Sequence, residues 1–364
     1  MPLLVVENLP SLGYPVAMRE KITLQSHDLD GYLTAKDEAA LAEIGKLYDV
    51  YLDECRKYDP CTGDGQALTR LSAEISGQLE RIVAAEDRIH VYSFETPRQQ
   101  HSEGSRLIAR LRDPKTGHEE FLYYIQRAYE LLFTHVFADQ AIDSKRSIIQ
   151  TTPVTDPAPN YAVHRIPDID PLIHDCVMCV MLRGALLPSM IVSKEIQDYS
   201  SDGYITPFAL FRIKRDESCT EKDMRYVLDL DKSFFSLEEL DGKDLVFADP
   251  MNATGGSLVT IVKYLEKEGV RPKSIRFINV ISALKGSLRV VRALPQAEVY
   301  TLWMDPVLNA RAYIMPGLGD AGDRLNGEDG DRPRNIIQLV ADYGQAIVNL
   351  YRDQVRKIEE TVLG

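Results

Sequence analysis

The stretch Asp249-Pro250-Met251-Asn252-Ala253-Thr254-Gly255-Gly256-Ser257 carries the residue types that could grip an anion. An apolar run from Leu245 to Ala248 precedes it, and a helix-like segment from Leu258 to Glu268 follows. A strand, a Gly-rich turn with hydroxyls and a helix start together offer several unpaired backbone N–H groups to one phosphate. Gly255 and Gly256 permit positive φ and close approach of a ligand, Thr254 and Ser257 add hydroxyl donors, and the helix dipole favours negative charge. Asp249, at the strand end, would repel phosphate and so needs another partner. Sugar hydroxyls, which donate to a carboxylate, suit it. Phosphate and sugar together point to a ribose phosphate.

Two long motifs carry a family resemblance. The nine residues from Asp249 to Ser257 are similar to the phosphoribosyl pyrophosphate (PRPP) loop of uracil phosphoribosyltransferases, DPMLATGGS in many members, with Asn252 in place of leucine. Downstream, Tyr313-Ile314-Met315-Pro316-Gly317-Leu318-Gly319-Asp320-Ala321-Gly322-Asp323-Arg324 resembles that family's uracil-binding GYIIPGLGDAGDR. Met304-Asp305 and Leu308-Asn309 precede it where the family has ID and LN. The motifs stand in the family's order, and the resemblance spans Arg88 to Gly327.

The resemblance implies an enzyme that converts uracil and PRPP to uridine monophosphate (UMP) and pyrophosphate in pyrimidine salvage. Its PRPP-binding residues would be Asp249, Pro250, Met251, Asn252, Ala253, Thr254, Gly255, Gly256, Ser257 and Asp320, and its uracil-reading loop would run from Ile314 through Gly319 and Asp320 to Ala321. Leu182-Arg183-Gly184-Ala185-Leu186 resembles the family's LRAGL loop with Gly and Ala exchanged, which carries Arg183 over to pyrophosphate binding and, with Asp249, to catalysis. Arg183 as a plain strand-end residue is the structural alternative. Arg215-Asp216-Glu217-Ser218 resembles an RDEE element and makes Arg215 a second PRPP contact, with Arg212 as its rival; Arg225 or Lys232 could replace a family lysine. Mg2+ would accompany PRPP, facing Asp320, with no metal held by the protein alone. The family also implies a homodimer or higher oligomer and, in some members, GTP as effector. A non-catalytic pyrimidine or nucleotide-binding regulator, or a phosphoribosyltransferase for another base, are the competing readings. A fused kinase is disfavoured, because no GxxxxGK[ST] loop occurs.

The elements that must position these residues read as α/β. Strand-like runs at Cys176 to Leu182, Tyr204 to Ile213, Leu245 to Ala248, Ser274 to Ile281 and Glu298 to Trp303 alternate with helical ones near Ala185 to Gln197 and Ser287 to Ala293. Near-continuous apolar strands imply a parallel sheet covered on both faces, with ligands gathered at the strands' carboxyl ends, as in a type I phosphoribosyltransferase fold. Ahead of this domain (88–330), residues 1–87 read as a helical extension: Thr34 opens a capping box with Asp37, and apolar stripes run from Leu41 to Cys55 and from Leu68 to Ile82. A helix capped by Thr116 should bury Phe121, Ile125, Ala128, Leu132 and Val136, with His118 and His135 at surface or helix-end positions. Residues 151–171 read as a loop or irregular hairpin. Residues 331–364 form a carboxyl-terminal helix with an apolar side, expected to pack with the amino-terminal hairpin. The fold class is therefore α/β, with a base-binding hood and extra helices at both ends.

Composition sets the outer bounds. The 364-residue chain has 27% charged and 45% hydrophobic residues, ordinary for a globular protein. No apolar stretch is long enough to span a bilayer, and the start lacks a basic segment before its apolar run, so a cytoplasmic location is expected. A net charge of −13 argues against nucleic-acid or membrane partners, which need Lys/Arg surfaces. Five cysteines form no even disulfide framework, and Cys176 and Cys179, set in an apolar run, read as core thiols.

Overall fold

The computed structural model describes residues 21–61, 63–216, 218–327 and 338–346. It opens with strand β1 (Lys21–Gln25) and short helix α1 (Ser26–Asp30), followed by the packed helices α2 (Ala35–Lys57) and α3 (Gln66–Val83). The capping box forms: Thr34 Oγ1 accepts from the Asp37 N–H at 3.2 Å, and Asp37 Oδ2 accepts from the Thr34 N–H at 2.9 Å. Next come β2 (Ile89–Val91), α4 (Tyr92–Glu95), α5 (Arg98–Arg112) and α6 (His118–Phe133), the last continuing into a π-helical turn, Thr134–Ala138. Gly117, not Thr116, stands at the start of α6; the Thr116 hydroxyl donates instead to the Arg110 carbonyl at 2.7 Å. Phe121, Ile125, Ala128, Leu132 and Val136 are all fully buried, as the apolar stripe requires. His135 is buried too, with Nε2 3.1 Å from Glu95 Oε2.

Strands β3 (Lys145–Thr151) and β4 (Tyr161–Pro167) pair antiparallel, so the Pro-rich stretch is a hairpin. The core then runs through α7 (Asp170–Ile173), β5 (Cys176–Leu182), α8 (Leu186–Tyr199), β6 (Phe208–Arg215), β7 (Arg225–Phe234), α9 (Leu237–Leu240) and β8 (Asp244–Ala248). It continues with β9 (Met251–Asn252), α10 (Gly256–Lys267), β10 (Ser274–Ala283), α11 (Leu284–Ala293) and β11 (Ala297–Asp305). The hood follows: β12 (Val307–Leu308) pairs with β13 (Ile314–Met315), and α12 (Ala321–Asn326) closes it.

The main sheet has the order β1-β7-β6-β5-β8-β10-β11-β2, with β9 added to β10. From β6 to β2 every pairing is parallel, while β7 and β1 run antiparallel at one edge. All residues of β5 and β8 are buried, as continuous apolar strands covered on both faces must be. Cys176 and Cys179 lie inside this core, where burial pushes the Cys176 thiol up to about 12. From β5 the chain goes on to β6 on one side, and from β8 to β10 and β11 on the other. The reversal between β5 and β8 opens a crevice at their carboxyl ends, the place where open α/β sheets hold ligands.

The amino-terminal segment is built into this body: β1 extends the sheet, and α1 and α2 grip α11. Of the expected carboxyl-terminal helix, residues 338–346 are helical and the rest lies outside the described residues. The buried Tyr343 on this helix donates its hydroxyl to Asn326 Oδ1 of α12, so the described segment meets the hood.

Candidate functional site

A cleft of about 610 Å³ occupies the crevice. One wall is the stretch from Asp249 to Leu258, and the opposite wall combines Arg183 and Gly184, from the loop after β5, with Asp320 to Asp323 of the hood. Arg212, Lys214 and Arg215, from the end of β6, line a third side. Most of the residues singled out in the sequence therefore converge. Ile314 and Gly319 are the exceptions: Ile314 is buried in the hood hairpin and Gly319 sits on an exposed turn, neither among the lining residues. Arg225 and Lys232 also stay outside; they lie near Asp216 at 3.0 Å and Asp229 at 3.9 Å, on the outer strand β7, which corrects their suggested role at the ligand.

The turn at 249–257 has the backbone geometry its glycines require. Gly255 adopts φ +74, which an L side chain rarely takes, and α10 begins at the next residue, so the first-turn N–H groups face the cleft. At Gly256 a Cβ would lie 2.1 Å from the Tyr226 ring, so only glycine fits. A Cβ on Gly286 of α11 would meet the Ala253 carbonyl oxygen at 2.4 Å, which explains the small residue behind the loop. Asn252 turns its buried side chain back toward Ser287 Oγ, 3.5 Å from Nδ2. Its replacement of an apolar residue thus places a polar group between the turn and α11.

Asp249 is the centre of the charge arrangement. Its Oδ1 accepts from the Met251 N–H at 3.0 Å, and its carbonyl accepts from the buried Asn279 amide at 2.8 Å. Burial pushes its carboxyl up to about 7; the Met251 N–H and the Arg215 guanidinium pull it down, and the Asp320 charge raises it. Arg215 also stands 5.7 Å over the Tyr313 ring, so it bridges Asp249 and the hood. Arg212 lines the same side, so both rival arginines are in the cleft, and the Arg215 charge favours the ionised Asp249 carboxylate.

The hood is braced by contacts that reach back across the fold. Asp305 is buried at the end of β11, accepting from the Arg112 guanidinium at 2.6 Å and from the Gly317 N–H at 2.8 Å. Arg324 donates to the carbonyls of Leu318 at 3.0 Å and Asp113 at 3.1 Å and lies 4.1 Å over the Phe121 ring, so it braces the loop instead of lining the cleft. Asp320 caps α12 by accepting from the Asp323 N–H at 3.0 Å. The Gly-Ala exchange at 184–185 costs no space, since a Cβ on Gly184 would stand 3.8 Å from Gly322 Cα. Only the partners across the fold, Arg112, Asn279 and Tyr226, had no local signal at all.

A parallel sheet with a glycine-rich turn and helix start at its switch point, faced by arginines and a carboxylate pair, defines an α/β protein with a cleft at the carboxyl ends of its strands. The uracil phosphoribosyltransferase family model matches residues 208–327. A uracil phosphoribosyltransferase of Geobacillus sp. (strain WCH70) is 30% identical over 237 residues, 65% of this chain and 98% of that protein. One from Dictyoglomus turgidum is 44% identical over 90 residues, 25% of this chain and 42% of that protein. A solved structure from Aquifex aeolicus is similar at 22% identity and a TM-score of 0.44, covering 62% of this chain and 95% of that one. The chain belongs to the uracil phosphoribosyltransferase family, a family of enzymes.

Proposed function

We propose that the protein transfers the phosphoribosyl group of PRPP to uracil, giving UMP and pyrophosphate in pyrimidine salvage. The observation that carries this reading is the shared cleft, in which the cradle at 249–257 and the hood residues 320–323 face each other across a few arginines. In this reaction the ribosyl C1′ breaks its bond to the pyrophosphate oxygen and bonds to a uracil ring nitrogen, which gives up its proton. The transition state has oxocarbenium character, so the protein's tasks are positioning and charge stabilisation. The cradle takes the 5′-phosphate, the free oxygen of Asp249 accepts from the ribose hydroxyls, and Arg183, with Arg215 and Arg212, takes the leaving pyrophosphate. Asp249 and Asp320 offer hard oxygen donors whose mutual repulsion a dication would relieve, which suits Mg2+ arriving with PRPP and neutralising pyrophosphate charge.

Uracil would be read by backbone groups of the 314–321 loop. The Gly317 N–H already belongs to Asp305, which leaves its neighbours for the base. Cytosine reverses donor and acceptor at the 4-position, so one buried group would stay unpaired, a loss of roughly 1–3 kcal/mol and about a tenfold to hundredfold preference for uracil in kcat/KM. Competition between the two labelled bases measures it. The reaction itself is tested by incubating the purified protein with Mg2+, PRPP and labelled uracil; labelled UMP is expected, and no nucleotide from any base would end the proposal. A dimer or higher oligomer, activation by GTP and a cytoplasmic location belong to the same proposal, and light scattering with and without GTP, rates with GTP, and cell fractionation test them. Among the described residues no helix is long and apolar enough to cross a membrane.

A further inference from the structure

We infer that Tyr226 is a positioning residue that turns the Thr254 hydroxyl into a hydrogen-bond donor for the ligand's phosphate. The inference rests on the ribose-phosphate reading of the cleft and assigns a role to a residue behind it. Tyr226 lies on β7, is fully buried, and places its hydroxyl 2.6 Å from Thr254 Oγ1. Its ring fills the space under Gly256, so the phenol cannot swing away without moving the cradle. Thr254 Oγ1 receives a second, longer contact from the Gly256 N–H at 3.4 Å.

A hydroxyl has one proton and two lone pairs. With both lone pairs of Thr254 Oγ1 engaged by the Tyr226 O–H and the Gly256 N–H, its own proton is left for the cleft, which Thr254 lines. An anion there aligns the chain of O–H bonds in one direction, Tyr226 to Thr254 to phosphate, and each bond polarises the next. Burial raises the pKa of the same phenol, against the nearby charge of the buried Arg289 of α11. The amino-terminal segment, through β1 paired to β7 with Leu24 opposite Tyr226, therefore reaches the glycine-rich turn by way of Tyr226.

Tyr226→Phe keeps the ring under Gly256 and removes only the phenol oxygen. Its affinity for Mg-PRPP, titrated by calorimetry on the full chain, is expected to fall about tenfold, the worth of one hydrogen bond to a charged group. The KM for uracil should stay at the wild-type value. A general loosening of the fold would move both. Thr254→Val is expected to cost a similar factor, and the double variant no more than either single one, because the two hydroxyls act as one unit. Should Tyr226→Phe fold poorly, as judged by its melting curve, Thr254→Ser and Thr254→Val, which leave Tyr226 in place, keep the test: the serine variant should hold wild-type affinity for Mg-PRPP and the valine variant lose about tenfold, and equal affinities would overturn the inference. Unchanged PRPP affinity in Tyr226→Phe, or losses that add, would overturn the inference while wild-type binding leaves the ribose-phosphate reading intact. A wild-type protein with no affinity for Mg-PRPP overturns both.

Discussion

At the level of single residues, Asp249 sets a conflict between stability and activity. In the unfolded chain its carboxyl ionises near 4, whereas burial in the folded cleft moves it up to about 7. Between those values the folded state holds the extra proton, so this group's contribution to stability is full below about 4 and is lost as pH rises through 7. At pH 8 the ionised form is retained at a cost. Asp249→Asn removes that charge while keeping an acceptor for the Met251 N–H, so it should melt higher than wild type at pH 8, by about 2–4 °C for each kcal/mol relieved, and show no such gain at pH 4. It should also lose phosphoribosyl transfer, because an amide is a weaker acceptor for ribose hydroxyls than a carboxylate. Wild-type PRPP affinity should weaken as pH falls below about 7, and that limb should be missing in Asp249→Asn. Equal melting temperatures at pH 8 would place the Asp249 charge in a solvated setting and remove the conflict.

Among the elements, α11 links what the sequence made visible to what it hid. The cradle leans on it through Gly286 and Val290, and the amino-terminal segment holds it from behind: the fully buried Arg289 donates to Asp30 Oδ1 at 2.5 Å and to Glu221 Oε1 at 2.9 Å. Arg292 donates to both oxygens of Asp37, at 2.9 and 3.0 Å. Asp30→Ala leaves Arg289 with one carboxylate, and because Asp30 is partly exposed the expected cost is roughly 1–3 kcal/mol, a lower melting temperature and a raised KM for PRPP. An unchanged melting curve would show the pair to be an idle contact. None of this was legible from local pattern, since Arg289 and Asp30 are partners 259 positions apart in the chain. What periodicity could reach, it reached: β5 occupies the span its apolar run marked, and α2, α3, α6 and α10 fall within a few residues of their stripes. Strand β6 starts at Phe208, later than its apolar run suggested, because Pro207 has no N–H for a ladder. Strand β7 escaped notice because its outer half, with Asp229, Asp231 and Lys232, is partly exposed and charged, and β1 because its pattern has meaning only against β7. The glycine-rich turn was readable because the features that suit a phosphate, backbone permissions and hydroxyls, lie together in the chain.

For the molecule as a whole, the proposed reaction asks an acidic protein to bind a polyanion. The cleft itself holds Arg183, Arg212, Lys214 and Arg215 against Asp249, Asp320 and Asp323, four cations to three carboxylates, so its local charge is barely positive. The whole chain carries −13. Spread over a body with a radius of gyration of about 21 Å, that charge repels each unit of ligand charge by roughly 2 kcal/mol in unscreened water. The contacts inside the cleft act over distances shorter than the Debye length at ordinary salt, about 8 Å at 0.15 M, while the repulsion acts over the whole molecule and is screened first. Raising the ionic strength from about 0.01 to 0.15 M should therefore lower the KM for PRPP severalfold and leave the KM for neutral uracil where it was. Initial rates at fixed free Mg2+ across that range measure both constants. A KM for PRPP that climbs with salt from the outset would mean that the four cleft cations outweigh the net charge, and that the acidic surface lies too far from the site to be felt there.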